Sequence, residues 1–211
     1  MSPTRLCIVR HGETDWNAQR RLQGQIDIPL NAAGRAQAAA TAAGLAGQSF
    51  AAIYSSDLAR TWQTASPIAA SLGLAVHAEP GLRERHFGQM QGLTGDEARV
   101  RCPEVHAAYA ARDAQHDLGG GESLTRFAAR VAATLDELAD RHAGQSLLLV
   151  AHGGVLDIAY RLATGRDLTA ARDFQVPNAA LNWIERHDST WHLAAWGQRD
   201  HLEASLDEVA G

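Results

Sequence analysis

The chain has only two cysteines, Cys7 and Cys102, set far apart. A disulfide framework or a thiolate metal site needs more sulfur at closer spacing, so a reducing compartment is expected. Positive charge is not in excess either: 19 Lys+Arg stand against 24 Asp+Glu, a formal net charge of −5. This leaves no basic footprint for nucleic acid, although a local cationic pocket can sit inside an acidic total. No apolar run reaches the roughly 18 residues needed to cross a bilayer, and the first residues lack the apolar stretch of a signal peptide. Internal repeats, low-complexity tracts and long linkers are also missing. Nucleic acid and membrane are therefore set aside as partners, the cytoplasm is the expected compartment, and a small molecule is the expected partner, with a homodimer left open.

What is present suits one soluble domain over residues 1–211, with 45% hydrophobic and 20% charged residues. Leu6-Cys7-Ile8-Val9, Ala51-Ala52-Ile53-Tyr54, Leu74-Ala75-Val76 and Leu147-Leu148-Leu149-Val150 are short apolar runs without alternation, as in strands covered on both faces. Helix-period segments lie between them: Gly34 to Leu45, Leu58 to Leu72, Ser123 to His142 and Val155 to Thr164, with Asn31, Asp57 and Ser123 as N-caps. This alternation predicts a three-layer α/β/α fold with a mostly parallel central sheet. Gly88 to Gly121 breaks the pattern and reads as a helical insertion over one end of the sheet. Ala180 to Arg186 and Trp191 to Trp196, around His187-Asp188-Ser189, read as a hairpin that closes the sheet.

Three strand ends turn abruptly polar before a helix: Val9-Arg10-His11-Gly12-Glu13-Thr14, Tyr54-Ser55-Ser56-Asp57-Leu58-Ala59-Arg60-Thr61 and Val150-Ala151-His152-Gly153-Gly154. In an open α/β sheet, ligands bind at the carboxyl ends of parallel strands, so these groups are expected to converge. Arginine forks suit phosphate oxygens, and a neutral imidazole can attack phosphorus. Glycines at 12, 153 and 154 would let backbone approach the ligand, and the helix start after Gly153 would add N–H donors. A Walker A loop is absent, which excludes nucleotide binding of that kind.

Four motifs carry a resemblance. Arg10-His11-Gly12-Glu13-Thr14 with Asn17, Ser55 to Thr61 followed by Gln63-Thr64-Ala65, Leu82-Arg83-Glu84 before Phe87-Gly88, and Ala151-His152-Gly153-Gly154 occur in order over nearly the whole chain. Together they resemble the phosphoglycerate-mutase-like branch of the histidine phosphatase superfamily. The resemblance implies that His11 is the nucleophile, forming a phosphohistidine, and that Arg10, Arg60 and His152 hold the phosphoryl oxygens. It assigns Glu84 to proton transfer, ahead of its rivals Glu13 and Asp15, and Asn17 to a hydrogen bond on phosphate. Gln23 and Gly24, in Arg21-Leu22-Gln23-Gly24, are expected to line the pocket with Gly153. No metal or cofactor is implied, except 2,3-bisphosphoglycerate if the enzyme is a mutase.

Taken singly, the residues have plainer readings. Arg10 and His11 could cap a strand, Arg60 could be a solvated helix residue, and His152 a buried hydrogen-bonded histidine. Their joint occurrence favours catalysis. Glu13 fits a helix start and stays outside the catalytic set. Trp16 and Trp62 adjoin motif residues, as pocket walls or simply as packing, and Trp183, Trp191 and Trp196 read as sheet residues. Histidines 77, 86, 106, 116, 142, 187, 192 and 201 lack zinc-ligand spacing and are expected mostly at the surface. The insertion is short for a glycolytic mutase of this family, and Met90-Gln91-Gly92 stands where the family often has an aromatic and an acidic residue before glycine. The preferred expectation is therefore a phosphatase of small phosphomonoesters such as a sugar phosphate, phosphoglycerate or ribazole phosphate, with a cofactor-dependent phosphoglycerate mutase as the alternative and an inactive binding module less favoured.

Overall fold

The computed structural model describes residues 2–202. In chain order it has strand β1 (Thr4–Arg10), helix α1 (Asp15–Ala18), helix α2 (Ala32–Gly44), strand β2 (Ala52–Ser55), helix α3 (Ala59–Leu72) and strand β3 (Val76–Ala78). Single 3-10 turns follow at Pro80–Leu82 and Gly88–Met90. Then come helices α4 (Gly95–Arg101), α5 (Pro103–Ala110) and α6 (Leu124–Arg141), strand β4 (Ser146–Ala151), helix α7 (Gly153–Thr164) and the hairpin β5 (Leu181–His187) with β6 (Thr190–Gln198).

The six strands lie in the order β3-β2-β4-β1-β5-β6. The first four run parallel, while β5 is antiparallel to β1 and β6 to β5. β1 and β4 are central, which accounts for their unbroken apolar sequences: Leu6 and Ile8 enter the core on one face, Cys7 and Val9 on the other. α2 and α3 cover the second face through Ala42, Leu45, Ala65 and Ile68. α6 and α7 cover the first. Leu124, Phe127, Val131, Leu135 and Leu138 recur at helical spacing on α6 and form its buried stripe. The result is an α/β fold of three layers.

Two sequence expectations shift. Asn31 and Ser123 cap their helices, on the amides of Gly34 and Arg126. Asp57 does not cap α3; the N-cap is Leu58, and Asp57 is drawn away by a bidentate ion pair with Arg83, at 2.6 and 2.5 Å. β3 begins at Val76 rather than Leu74, because Gly73 ends α3 in the left-handed region (φ 66°) and the Leu74 amide still donates to Ala69 of that helix.

The insertion sits at the carboxyl ends of the parallel strands. Pro103 starts α5, where its missing N–H costs no helical bond. Met90, Ala98, Cys102, Val105 and Leu118 give the insertion a small core of its own, against which Leu22, Phe87 and Tyr109 pack. Cys7 and Cys102 are both free, in different clusters. Among the described residues no helix is long and apolar enough to cross a membrane, and no group of His, Cys, Asp and Glu is arranged to hold a metal ion.

Candidate active site

A cavity of about 420 Å³ opens where the insertion meets the sheet. Its inner wall carries Arg10, His11, Asn17, Gln23, Gly24, Arg60, Glu84, Gly153 and Gly154. Four separate segments of the sequence therefore meet at one place. His152 is fully buried and packs edge-on against His11, with the two ring centroids 5.2 Å apart.

His11 follows β1 directly, and its Nδ1 lies 2.7 Å from the carbonyl of Gly12. A carbonyl only accepts, so Nδ1 carries the proton and Nε2 keeps its lone pair. The backbone around it is pinned from several sides. The Gly12 amide donates to Thr64 Oγ1 on α3, Asn178 Nδ2 donates to the His11 carbonyl at 2.7 Å, and the Ala179 amide donates to the Arg10 carbonyl. Gly12 serves packing more than ligand approach: a Cβ there would lie 2.4 Å from the Gly34 carbonyl oxygen at the start of α2.

Arg60, on the first turn of α3, is 1% exposed and yet points at no carboxylate. Its two terminal nitrogens donate to the carbonyls of Ile26 and Gly24, at 2.9 and 2.7 Å, which fixes the loop that carries Gln23. Arg10 Nη1 donates to the Val176 carbonyl at 2.6 Å. Arg10 Nε, Arg60 Nε and His152 Nδ1 are buried with no acceptor or donor among the described residues. Fold-building uses are thus complete for parts of each side chain, and the remaining nitrogens are available to an oxyanion.

Burial is the main cause of the electrostatics. It pushes Arg60 down to about 10 and lowers Arg10, in both cases against the attraction of Glu84. Burial first, then the charges of Arg60 and Arg10, hold His11 well below 6.5; the Gly12 carbonyl opposes this. His152 is lowered for the same leading reason, with Arg60, His11 and Arg10 adding to it. Both imidazoles are neutral near pH 7, the state a nucleophile needs.

Glu84 is placed by backbone. Its Oε1 accepts from the Arg85 amide at 2.8 Å and its Oε2 from the Gly154 amide at 3.0 Å, on the first turn of α7. Arg130 braces the same stretch through the carbonyls of Gly81, Arg83 and Glu84. A Cβ at Gly154 would stand 2.1 Å from Glu84 Oε1, so a larger residue there pushes the carboxylate aside. Gly154→Ala, with alanine an excellent helix former, is expected to leave the fold intact while displacing the carboxylate. Steady-state kinetics should show kcat for an alkyl phosphate falling roughly a hundredfold, as for other misplacements of about 1 Å; an unchanged kcat would mean that Glu84 has no part in the rate.

Comparison with known proteins gives the family. Residues 6–199 match the model of the histidine phosphatase superfamily (branch 1). The chain belongs to that family. It is 40% identical over 202 residues to phosphoglycerate mutase-like protein 4 of Arabidopsis thaliana, covering 94% of this chain and 86% of the relative. It is 38% identical over 206 residues to a metal-independent phosphoserine phosphatase of the same plant, covering 95% and 84%. A mutant phosphoserine phosphatase of Entamoeba histolytica, solved in complex with phosphoserine, superposes with a TM-score of 0.84 at 27% identity, over 94% of this chain and 99% of that one.

Other residues of this histidine phosphatase fall where the sequence reading left them open or differently placed. Asn17 lies on the wall, but its Oδ1 caps α1 through the Thr14 amide and hydroxyl, so only its amide nitrogen is left to face a ligand. Glu13 accepts from Asn31 Nδ2 and ties the loop to α2, while Asp15 is exposed. Neither Trp16 nor Trp62 lines the cavity. Of the remaining histidines, 77, 187 and 192 are exposed, whereas 86, 106, 116, 142 and 201 are half-buried, several of them hydrogen-bonded. Arg85, Tyr109, Arg112, Asp157 and Arg172 are on the wall and were not expected there.

The two depressed histidines also govern acid stability. Below 6.5 the unfolded chain protonates His11 and His152 while the folded chain does not, so the unfolded state binds more protons. Stability is then lost as pH falls through that window, by up to about 1.4 kcal/mol per pH unit for each histidine. Urea midpoints measured at pH 7.5 and 5.5 should drop on the acid side in the wild type and drop less in His11→Asn; identical slopes would contradict a buried neutral His11.

Proposed function

We propose that this histidine phosphatase hydrolyses small phosphomonoesters through a phosphohistidine on His11, with no metal ion or cofactor. The observation that carries the reading is the His11 ring itself, whose Nδ1 proton is held by the Gly12 carbonyl and whose Nε2 keeps its lone pair, in a cavity shared with Arg10 and Arg60, whose buried Nε atoms lack partners among the described residues.

In the first step Nε2 forms a bond to phosphorus as the ester P–O bond breaks, and the Glu84 carboxyl gives the departing oxygen its proton. In the second, water attacks phosphorus, the P–N bond breaks, and the Glu84 carboxylate takes the proton from that water. Charge spreads over the three equatorial oxygens in both steps. Arg10, Arg60 and the Asn17 amide nitrogen donate to them and so stabilise the transition state more than the free ester. Gln23, Gly24 and Gly153 shape the pocket around the phosphate. His152 packs against the His11 ring, and its Nδ1, without a partner among the described residues, is a further group for the phosphoryl oxygens.

Turnover of p-nitrophenyl phosphate in the presence of EDTA, with trapping of an acid-labile phosphoenzyme, tests the reading. Absence of both turnover and labelling would defeat it. Conversion of 3-phosphoglycerate to 2-phosphoglycerate, primed by 2,3-bisphosphoglycerate and without release of phosphate, would assign the chain to the mutases instead.

A further inference from the structure

Glu84 sits on a stretch with little regular structure of its own: a single 3-10 turn at Pro80–Leu82, then residues 83–87 in neither helix nor strand. No ladder sets its course, so its backbone groups have to be paired from outside. Arg130 supplies much of that pairing. It stands on the second turn of α6, next to Phe127 and Val131 of the stripe that fixes this helix to the sheet, and its guanidinium lies 5.1 Å from the centroid of the Phe127 ring. Its Nη1 donates to the carbonyls of Gly81 and Arg83 at 2.8 and 3.0 Å, and its Nη2 makes a longer bond of 3.4 Å to the carbonyl of Glu84.

A guanidinium that serves several carbonyls is useful only if its plane is held. Glu122 holds it. Its Oε1 accepts from Arg130 Nε at 2.9 Å and its Oε2 from Arg130 Nη2 at 2.8 Å, the two-pronged geometry of a strong arginine–carboxylate pair. The same Oε2 accepts from the His86 amide at 3.0 Å. The backbone of Glu122 joins in: its amide donates to the His86 carbonyl at 2.9 Å, and its carbonyl accepts from Arg85 Nε at 2.8 Å. Residues 81, 83, 84, 85 and 86 are thus all tied to Arg130 or Glu122.

The pair is well shielded, with the side chains 25% and 18% exposed. Burial works against the charge of Glu122, but the hydrogen bonds from Arg130 and the His86 amide outweigh it and hold the carboxyl below its usual range. Loss of either member would leave the other charge shielded and uncompensated. The carboxylate of Glu84 depends on the course they impose. Its Oε2 reaches the Gly154 amide, which belongs to α7, and α6 and α7 share one core cluster. A clamp based on α6 therefore fixes how the backbone of residue 84 stands to the α7 amide. Glu122 also follows the insertion directly, so one residue holds both the exit of the insertion and the Glu84 segment.

We infer that Glu122 and Arg130 form a positioning pair for the proton donor: they set the path of residues 81–86 and so place the Glu84 carboxyl against the Gly154 amide in the cavity. The inference rests on the phosphomonoesterase reading above, with Glu84 as its acid. Neither residue touches the ester; both act through Glu84.

Arg130→Gln removes the charge and the fork. Single-turnover formation of the phosphoenzyme should fall roughly a hundredfold with glycerol 3-phosphate, the scale of a misplacement of about 1 Å. With p-nitrophenyl phosphate, whose leaving group departs without a proton, it should fall by less than about tenfold. Glu122→Gln keeps the volume and an acceptor for the His86 amide, and should move the ratio of the two rates the same way by less. Arg130→Lys should recover part of the ratio by keeping the charge without the fork. The deciding measurement is made in the Glu84→Gln background, where Arg130→Gln should add little to the loss on glycerol 3-phosphate because the acid it positions is already gone. If Arg130 only holds the fold together, it would slow both substrates alike, and its effect would multiply with that of Glu84→Gln; either result overturns the positioning role. Should Arg130→Gln fail to fold by near-UV circular dichroism, the same two readouts on Glu122→Gln and Arg130→Lys decide. Wild-type turnover of p-nitrophenyl phosphate with unselective variants defeats the positioning pair alone, and absence of wild-type turnover and labelling defeats the phosphatase reading beneath it.

Discussion

His11→Ala is expected to abolish phosphoenzyme formation and to lower kcat/KM for p-nitrophenyl phosphate by roughly ten-thousandfold or more, the scale seen when a nucleophile is removed from a site that otherwise survives. On the proposed mechanism, alanine takes away the imidazole nitrogen that accepts phosphorus while leaving Arg10 and Arg60 in position. Phosphate or vanadate should still bind, because the Nε atoms of both arginines have no partner among the described residues. Rapid quench with a labelled phosphomonoester, followed by base-stable and acid-labile recovery of label, measures the first part; equilibrium binding of vanadate measures the second. Retention of label in the variant would move the nucleophile to another residue. Loss of vanadate binding together with label would show that the substitution had collapsed the site, and His11→Gln, closer in volume, would then be the variant to compare.

Glu84→Gln should divide substrates by their leaving groups. An alkoxide departs poorly without a proton, whereas p-nitrophenolate departs well without one. Loss of a general acid costs roughly a hundred- to ten-thousandfold where it is needed. The variant should therefore lose about that much on glycerol 3-phosphate and much less on formation of the phosphoenzyme from p-nitrophenyl phosphate. Single-turnover bursts can read this directly. In the proposed mechanism the second half-reaction uses Glu84 again to deprotonate water, so phosphoenzyme should accumulate in the variant with the good leaving group. Equal losses on both substrates without accumulation would remove Glu84 from proton transfer. Gln can still accept through its carbonyl from one of the two amides that hold Glu84, those of Arg85 and Gly154, which makes collapse of the local backbone a poor explanation for a selective effect.

Much of this was legible in the sequence because the signals were local. Apolar runs at Leu6 to Val9 and Leu147 to Val150 mark strands that have neighbours on both sides, and each is followed at once by the residues it delivers to the site. His11, Arg60 and Glu84 sit in ordered motifs, and the cavity gathers all three. Asp57 misled because an N-cap preference is a local rule, and Arg83, 26 residues on, outbids it. The edge-on contact of His152 with His11 was not legible, since how two rings pack depends on the fold and no motif encodes it. Arg112, Asp157 and Arg172 were invisible for a related reason: they belong to an insertion, a helix and a connecting segment, and only the fold makes them neighbours. Gly154 was noticed for a different purpose. It was expected to admit a ligand, and it admits the carboxylate of Glu84.

The place of β1 between β4 and β5 has one more consequence, for the order in which a working site can come into being. The carbonyl of His11 is held by Asn178, 167 residues further along the chain, and the carbonyl of Ile8 by Asn182, 174 residues further. A ribosome that has already released the nucleophile must add nearly all of the remaining domain before these anchors exist. Such distant closures are slow compared with local helix formation. The histidine is thus made early and fixed late, and partly synthesised chains carry the reactive residue without the geometry that would let it act.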